Sequence, residues 1–592
     1  MATTERVKGT DERWGEYGAE YYADAMVCAM KLGGVDYLYF NSGTEIGFYQ
    51  EAIAKAQERG WPSPRLVTVP HEGAALNAAL GTSMVTGQPA ATAVHVDVGT
   101  FNYGGGIHTA IRGQYPVLIT AGGAPRAYPE SMRGGRDNDI HWVQEPRDQG
   151  EILRQYTKID HRLEYQDNPG LIISRLLQVA MSEPRGPVYL TVPREAALIP
   201  MPGMARFPTR DELGLARKAW PDPDDARTVA DWLIHGANPV ICAGRSGRRP
   251  EAVEALVRLA ELLAVPVMER GADRLNFPRT HYLFGTGPLP TQADVLLIME
   301  SLTAYAPPDL PPANAKIARV SIDPVYSQHK TIEYRADLWL AADSEAAATA
   351  IFNAATAMLT QSDMSRIEER RARLQQKKLE MNAAVEASAQ KAGQRRPLHP
   401  RWVAYQLGQI LEDDAILLDD SLSNAVHVGA FNRRTQPGTL FKSGGSSGGW
   451  GSGAAFGAKM ARPDQDVVLA SGDGFFMYGS PLEAMWSAAH YKAPFLSVVF
   501  VNRSYSTGIN RVAGTFPDGT IARTKNFEGG LFDPPPDFAK LAEAANGYGE
   551  TVREPEEVGP ALRRALEQTR KGSPALVAAW LPNLVEEMDL PQ

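Results

Sequence analysis

Short apolar runs rich in β-branched residues recur along the chain, and between them the apolar positions fall three and four apart. Residues 17–32 have helical spacing and stop at Gly33-Gly34, and 35–40 then reads as a strand. The same alternation continues with a strand at 66–69, a helix at 71–86 closed by Gly87, and strands at 90–96 and 116–121. Near the other end, 481–491 has helical spacing and "FLSVVFV" is a buried strand ending at Asn502. Short β-branched runs alternating with helical spacing in this way predict parallel sheets covered by helices on both faces.

Two stretches break the pattern. Residues 199–225 are rich in Pro and charge, and 386–400 are polar after a highly charged helix at 365–386. Read as linkers, they divide the chain into α/β units at 1–198, 215–385 and 396–592, each a doubly wound parallel sheet of ordinary domain size. At 592 residues the chain is too long for one ordinary domain, and its 44% hydrophobic and 22% charged residues are those of a globular protein. A net charge of −9 without a basic run argues against a nucleic-acid partner. No apolar stretch reaches the roughly 18 residues of a membrane helix. The polar start lacks the apolar region of a secretory signal, so a cytoplasmic location is expected. Cys28 and Cys242 read as two buried thiols, not as a metal site.

The candidate chemistry begins at Gly472-Asp473-Gly474, which follows the apolar run 467–470. A turn would explain a carboxylate between glycines. Asn502, however, also ends a strand, and one helix separates the two strands. In a βαβ unit both residues then lie on the same edge of the sheet, where ligands bind. A carboxylate and an amide oxygen are hard-oxygen donors suited to Mg²⁺ or Ca²⁺, and Mg²⁺ usually takes further oxygens from a phosphate. The glycines would let backbone N–H groups approach that phosphate.

Gly472-Asp473-Gly474, a helix, a strand and then Asn502-Arg503-Ser504-Tyr505 resemble the thiamine-diphosphate binding motif of the decarboxylase and acetolactate synthase superfamily. The likeness extends over nearly the whole chain, as a pyrimidine-binding first third, a Rossmann-like central third and a diphosphate-binding last third. It implies that Asp473, Asn502 and the carbonyl of Ser504 hold Mg²⁺, and that Gly472, Gly474 and Tyr505 line the cofactor. Val501 stands where the motif has its first Asn. "HEG" at 71–73 resembles the family's glutamate signature, which casts Glu72 as the carboxyl group that activates the pyrimidine of the cofactor. "HVDVGTFN", 95–102, resembles benzoylformate decarboxylases in placing His95 at a strand end, where it would move protons. His281 in "NFPRTHYLFG" resembles a second histidine of the decarboxylases. Thr44 in "FNSGTE", with Ser42 as the alternative, resembles a substrate-touching loop. In "GGSSGGWGSGAAFG", Gly448 stands where the family has a bulky residue under the cofactor, which leaves Trp450 or another residue to fill the gap.

The resemblance implies a homodimer or homotetramer with active sites between subunits. It also implies a thiamine-diphosphate- and Mg²⁺-dependent C–C lyase, most like a non-oxidative 2-oxo acid decarboxylase with carboligation as a further outcome. The alternatives are an acetolactate-synthase-like or hydroxyacyl-CoA-lyase-like carboligase, a flavin-dependent 2-oxo-acid oxidase, and an inactive cofactor-binding protein. In the central third, Gly244 and Gly247 with Arg245, Arg248 and Arg249 are candidates for a nucleotide phosphate. FAD or the ADP part of coenzyme A are therefore kept as less favoured ligands.

Overall fold

The computed structural model describes residues 13–201, 203–307 and 309–589. Most of the polar start examined for a secretory signal lies outside these residues. Three six-stranded sheets, parallel throughout, form the framework. The first contains Tyr37–Phe40, Arg65–Thr68, Ala90–Val94, Val117–Gly123, Asp160–Arg162 and Val188–Pro193. The last contains Ile416–Asp420, Leu440–Lys442, Val467–Gly472, Leu496–Val501, Tyr548–Val552 and Ala575–Trp580. With the strands of each sheet numbered in chain order, both sheets run 2-1-3-4-6-5. The central sheet, from Pro239–Ala243 to Leu338–Ala341, runs 3-2-1-4-5-6, the dinucleotide-fold order.

Both stretches read as linkers contain regular structure. Ala205–Pro208 pairs antiparallel with Trp14–Tyr17, and Phe207 is fully buried in the core of the first unit. That unit therefore continues beyond residue 198, to the short helix Arg210–Leu213. The charged helix spans Gln361–Gly393 and so runs into the second stretch. Thr360 caps it by accepting the N–H of Asp363.

One hydrophobic core joins the first and last units. It includes Tyr39, Val67, Leu76 and Ile119 from the first and Trp450, Phe456, Leu469 and Val499 from the last. At its centre the helix Glu72–Thr86 crosses the helix Gly451–Ala461 at backbone contact. A Cβ on Gly81 would overlap the Ala454 carbonyl, and one on Gly457 would overlap the Ala78 carbonyl. Across the same crossing, the Thr82 hydroxyl donates to the Gly457 carbonyl at 3.0 Å. Among the described residues no helix is long and apolar enough to cross a membrane.

Candidate functional site

In the first and last sheets the strand order reverses between strands 1 and 3, and ligands of open α/β sheets bind outside the carboxyl ends at such a point. In the last sheet this point lies between Ile416–Asp420 and Val467–Gly472. A pocket there is lined by Ser421, Asp473, Gly474, Asn502, Ser504 and Thr507, among others. Asp473 is 2% exposed. Its carboxylate accepts N–H groups from Arg503 at 2.6 Å and Gly474 at 2.8 Å. Burial pushes its pKa up to about 6 against the pull of those donors. Asn502 accepts the Ser504 N–H at 3.2 Å. Val501 is the last residue of its strand and points into the shared core, so an apolar side chain suits that position.

Arg503 takes a left-handed backbone, with φ of 56°, which turns its N–H onto Asp473. Its buried guanidinium bonds Asp533 at 3.0 Å, the Leu581 carbonyl at 3.0 Å and Glu586 at 2.5 Å. The helix Leu584–Asp589 thus ties down the loop after Asn502.

The matching point of the first sheet lies between Tyr37–Phe40 and Ala90–Val94. Glu45, fully buried, stands over it. Its Oε2 receives the Thr44 hydroxyl at 2.7 Å and bonds His95 Nε2, and its Oε1 bonds His141 Nε2 at 2.7 Å. Burial pushes the Glu45 carboxyl up, but the bonds from His95, Thr44 and His141 outweigh it and hold the pKa at about 2. His95 is the N-cap residue of the helix Val96–Phe101, and Gly99 on that helix faces Glu72. Asn102 donates to Glu72 Oε2 at 3.0 Å. Glu72 itself opens a helix on which the Gly73 N–H donates to His71 Nδ1 at 3.1 Å.

These two regions meet within one chain. Ser480, beyond the Gly-Asp-Gly helix, lies 3.2 Å from His71 Nδ1, and Gly105 packs against Ser447. The glycines of 444–457 mostly abut other parts of the protein: Gly444 meets Gly113, Gly445 meets His108, and Gly453 meets the helix of Glu72. Gly448 lies against the ring of Phe475, so Phe475 occupies the space that a side chain at 448 would take. Trp450 does not take that place. It is 1% exposed and turned into the shared core.

Comparison with known proteins decides the family. Residues 21–152 match the N-terminal TPP binding domain of thiamine pyrophosphate enzymes, and 423–579 match their C-terminal TPP binding domain. The chain belongs to the thiamine-diphosphate-dependent enzymes. It is 29% identical to the benzoylformate decarboxylase of Pseudomonas aeruginosa, over 84% of this chain and 89% of that protein. It is 27% identical to the acetolactate synthase large subunit IlvG of Mycobacterium tuberculosis, over 93% of each. The structure of benzoylformate decarboxylase from Polynucleobacter necessarius superposes with a TM-score of 0.75 at 19% identity, covering 95% of this chain and 99% of that one.

In this thiamine-diphosphate-dependent enzyme the expected residues divide into groups. Asp473, Asn502 and Ser504 share one pocket, with Tyr505 at its rim. Thr44 and His95 join one cluster around Glu45. His281 lies apart. Its Nε2 bonds Glu261 at 3.0 Å and its Nδ1 accepts the Leu283 N–H at 3.1 Å, both within the central unit. The central arginines are engaged with carboxylates: Arg245 with Asp273, Arg248 with Glu183 and Glu300, and Arg249 with Asp343. Gly244 and Gly247 abut the Glu300 and Leu275 carbonyls, so close packing of the backbone accounts for both glycines. Glu45, His141 and Phe475 escape the sequence reading. Glu45 adjoins Thr44 in a loop already singled out, whereas His141 sits in a long segment with no periodic pattern.

Proposed function

We propose that the protein is a thiamine-diphosphate- and Mg²⁺-dependent lyase that decarboxylates a 2-oxo acid without oxidation. The observation that carries this reading is the His95–Glu45 pair at the strand ends of the first sheet, on the segment that also faces Glu72. An imidazole held by a buried carboxylate is oriented to act as an acid–base group. The metal fits the last sheet. Asp473 is a buried carboxylate, and Asn502 and Ser504 add hard oxygens beside it in one pocket. The hydroxyls of Ser421, Ser504 and Thr507 and the N–H groups of the same pocket suit a diphosphate. Phe475, against Gly448, supplies the bulk expected at 448.

Thiamine diphosphate, when bound, supplies a carbon nucleophile and an electron sink for breaking the bond beside a carbonyl. The chain supplies the rest. Glu72 would hold a proton against the pyrimidine, and Asn102 fixes the orientation of its carboxylate. Asp473, Asn502 and Ser504 would anchor the metal and diphosphate. His95 would take and return protons at the substrate. Carboligation is the second reading, and it draws support from the acetolactate synthase whose likeness spans 93% of this chain.

The test is a screen of 2-oxo acids for CO₂ release with thiamine diphosphate and Mg²⁺, followed by His95→Ala on the best substrate. His95→Ala should lower kcat by about 10²-fold or more with KM little changed, and spare hydrogen exchange at C2 of the cofactor. Turnover within about threefold of wild type is too small an effect for an acid–base residue and would remove His95 from the chemistry. Product formation only when a second carbonyl compound is present would favour the carboligase.

A further inference from the structure

The proposed chemistry makes no use of His141, yet this residue is 1% exposed and aimed at the cluster that holds His95. It lies on the helical turn Ile140–Val143, in the segment that leaves the strand Val117–Gly123. That segment is clamped to the sheet. Arg194 donates to the carbonyls of Gly134 at 2.9 Å and Gly135 at 2.6 Å, and Arg136 donates to the Pro125 carbonyl at 2.6 Å. Farther along, Gln149 donates to the Gly122 carbonyl at 2.8 Å. The position of His141 is therefore imposed by the surrounding structure.

The hydrogen count fixes the tautomers. Glu45 is ionised, and an ionised carboxylate only accepts hydrogen bonds. His95 Nε2 and His141 Nε2, both bonded to it, must then each carry a hydrogen. His141 Nδ1 is left with its lone pair and lies 3.4 Å from the backbone N–H of Asp137, which donates to it. The Asp137 carboxylate, at 3.7 Å from the same nitrogen, and Glu45 are the charged groups at this ring. This arrangement cannot pass a proton from His95 through Glu45 to the surface, because His141 Nε2 is already occupied. It can hold the carboxylate in one orientation.

We propose that His141 is a positioning residue: its Nε2–H fixes Glu45 Oε1, which keeps Oε2 on His95 and sets His95 in the Nε2–H form, with Nδ1 as the nitrogen that exchanges protons with substrate. The proposal rests on the acid–base reading of His95. It predicts which nitrogen reacts and assigns the orientation of His95 to a residue from a separate segment of the chain.

The experiment uses full-length enzyme labelled with ¹⁵N-histidine, with and without thiamine diphosphate and Mg²⁺. The His95 imidazole, assigned by its loss in His95→Ala, should show the shift pattern of an Nε2–H ring. An Nδ1–H pattern in the wild type overturns the proposal whatever the variants do. His141→Leu should lower kcat by about 10–100-fold, the usual cost of removing a partner that orients a site residue. KM should stay within about threefold, C2 exchange should persist, and the His95 signal should move towards a mixture of tautomers. His141→Gln, whose amide can still donate to Oε1, should recover kcat to within about threefold of wild type. If His141→Leu keeps full turnover and the wild-type His95 signal while His95→Ala is impaired, the positioning role fails and the role of His95 stands. If His95→Ala itself turns over normally, the underlying reading fails instead.

Discussion

Glu72 opens the first turn of its helix with Asn102 on one carboxylate oxygen and Gly99 beside the other. The proposed activation of a bound pyrimidine by this carboxyl group makes a sharp demand. Glu72→Gln should slow deuterium exchange at C2 of bound thiamine diphosphate by about 10²-fold or more, while cofactor still binds. Quenched-flow exchange read by NMR measures it, and near-normal exchange would remove Glu72 from the mechanism. Residues of this kind stood out in the sequence because each is polar at the end of an apolar run: Glu72, His95, Asp473 and Asn502 all do so. Glu45 did not, because a glutamate after Gly-Thr reads as an ordinary turn residue. Its burial comes from three segments closing over it. His141 was still less legible, since its significance lies in one contact with a residue 96 positions away. The contact between Phe475 and Gly448 depends likewise on how two loops meet.

At the scale of elements, the apolar periods located four strands of the first sheet and two of the last, with the helices at 71–86 and 481–491, to within a few residues. They missed Ala205–Pro208, whose strand partner Trp14–Tyr17 is distant in sequence and whose composition is that of a linker. Gly453 and Gly457 serve packing, letting one helix cross another at backbone contact. That role can be measured with a single kind of substitution. Gly457→Ala puts a methyl group on the Ala78 carbonyl and should destabilise by about 1–3 kcal/mol, as overpacking does. Gly514→Ala, in a helix where a Cβ meets open space, should stabilise by about 0.4–1 kcal/mol. Opposite shifts of the thermal unfolding midpoint are expected. Equal shifts would mean that the crossing relaxes freely and that the glycines are not needed for it.

The whole molecule repeats one strand order in its first and last sheets and packs them on a shared core, which places Glu72 near the glycine-rich segment of the last unit. Within the single chain, His71 of the first unit meets Ser480 of the last. The similarity of the two sheets was hidden in the sequence, because strand order is set by which strands pair and not by local pattern. A ligand held by this native arrangement stabilises it by mass action. Thiamine diphosphate with Mg²⁺ should therefore raise the unfolding midpoint in a concentration-dependent way. In Asp473→Ala the rise should be lost for both components together. A rise that persists in Asp473→Ala would reduce Gly-Asp-Gly to a turn.

The clamp on Arg503 has a consequence for biosynthesis. The backbone N–H of Arg503 holds Asp473, while its side chain is held by Glu586, 83 residues farther along. During translation the pocket loop is made long before its anchor. A ribosome-bound chain made through Ser504 carries all the expected metal donors, but not the carboxylate of Glu586 that holds the Arg503 side chain. On the proposed reading, loading with the metal and diphosphate would follow synthesis through Glu586. A fusion or truncation that disturbs the helix Leu584–Asp589 would act on the pocket from its far side, without altering any residue that lines it.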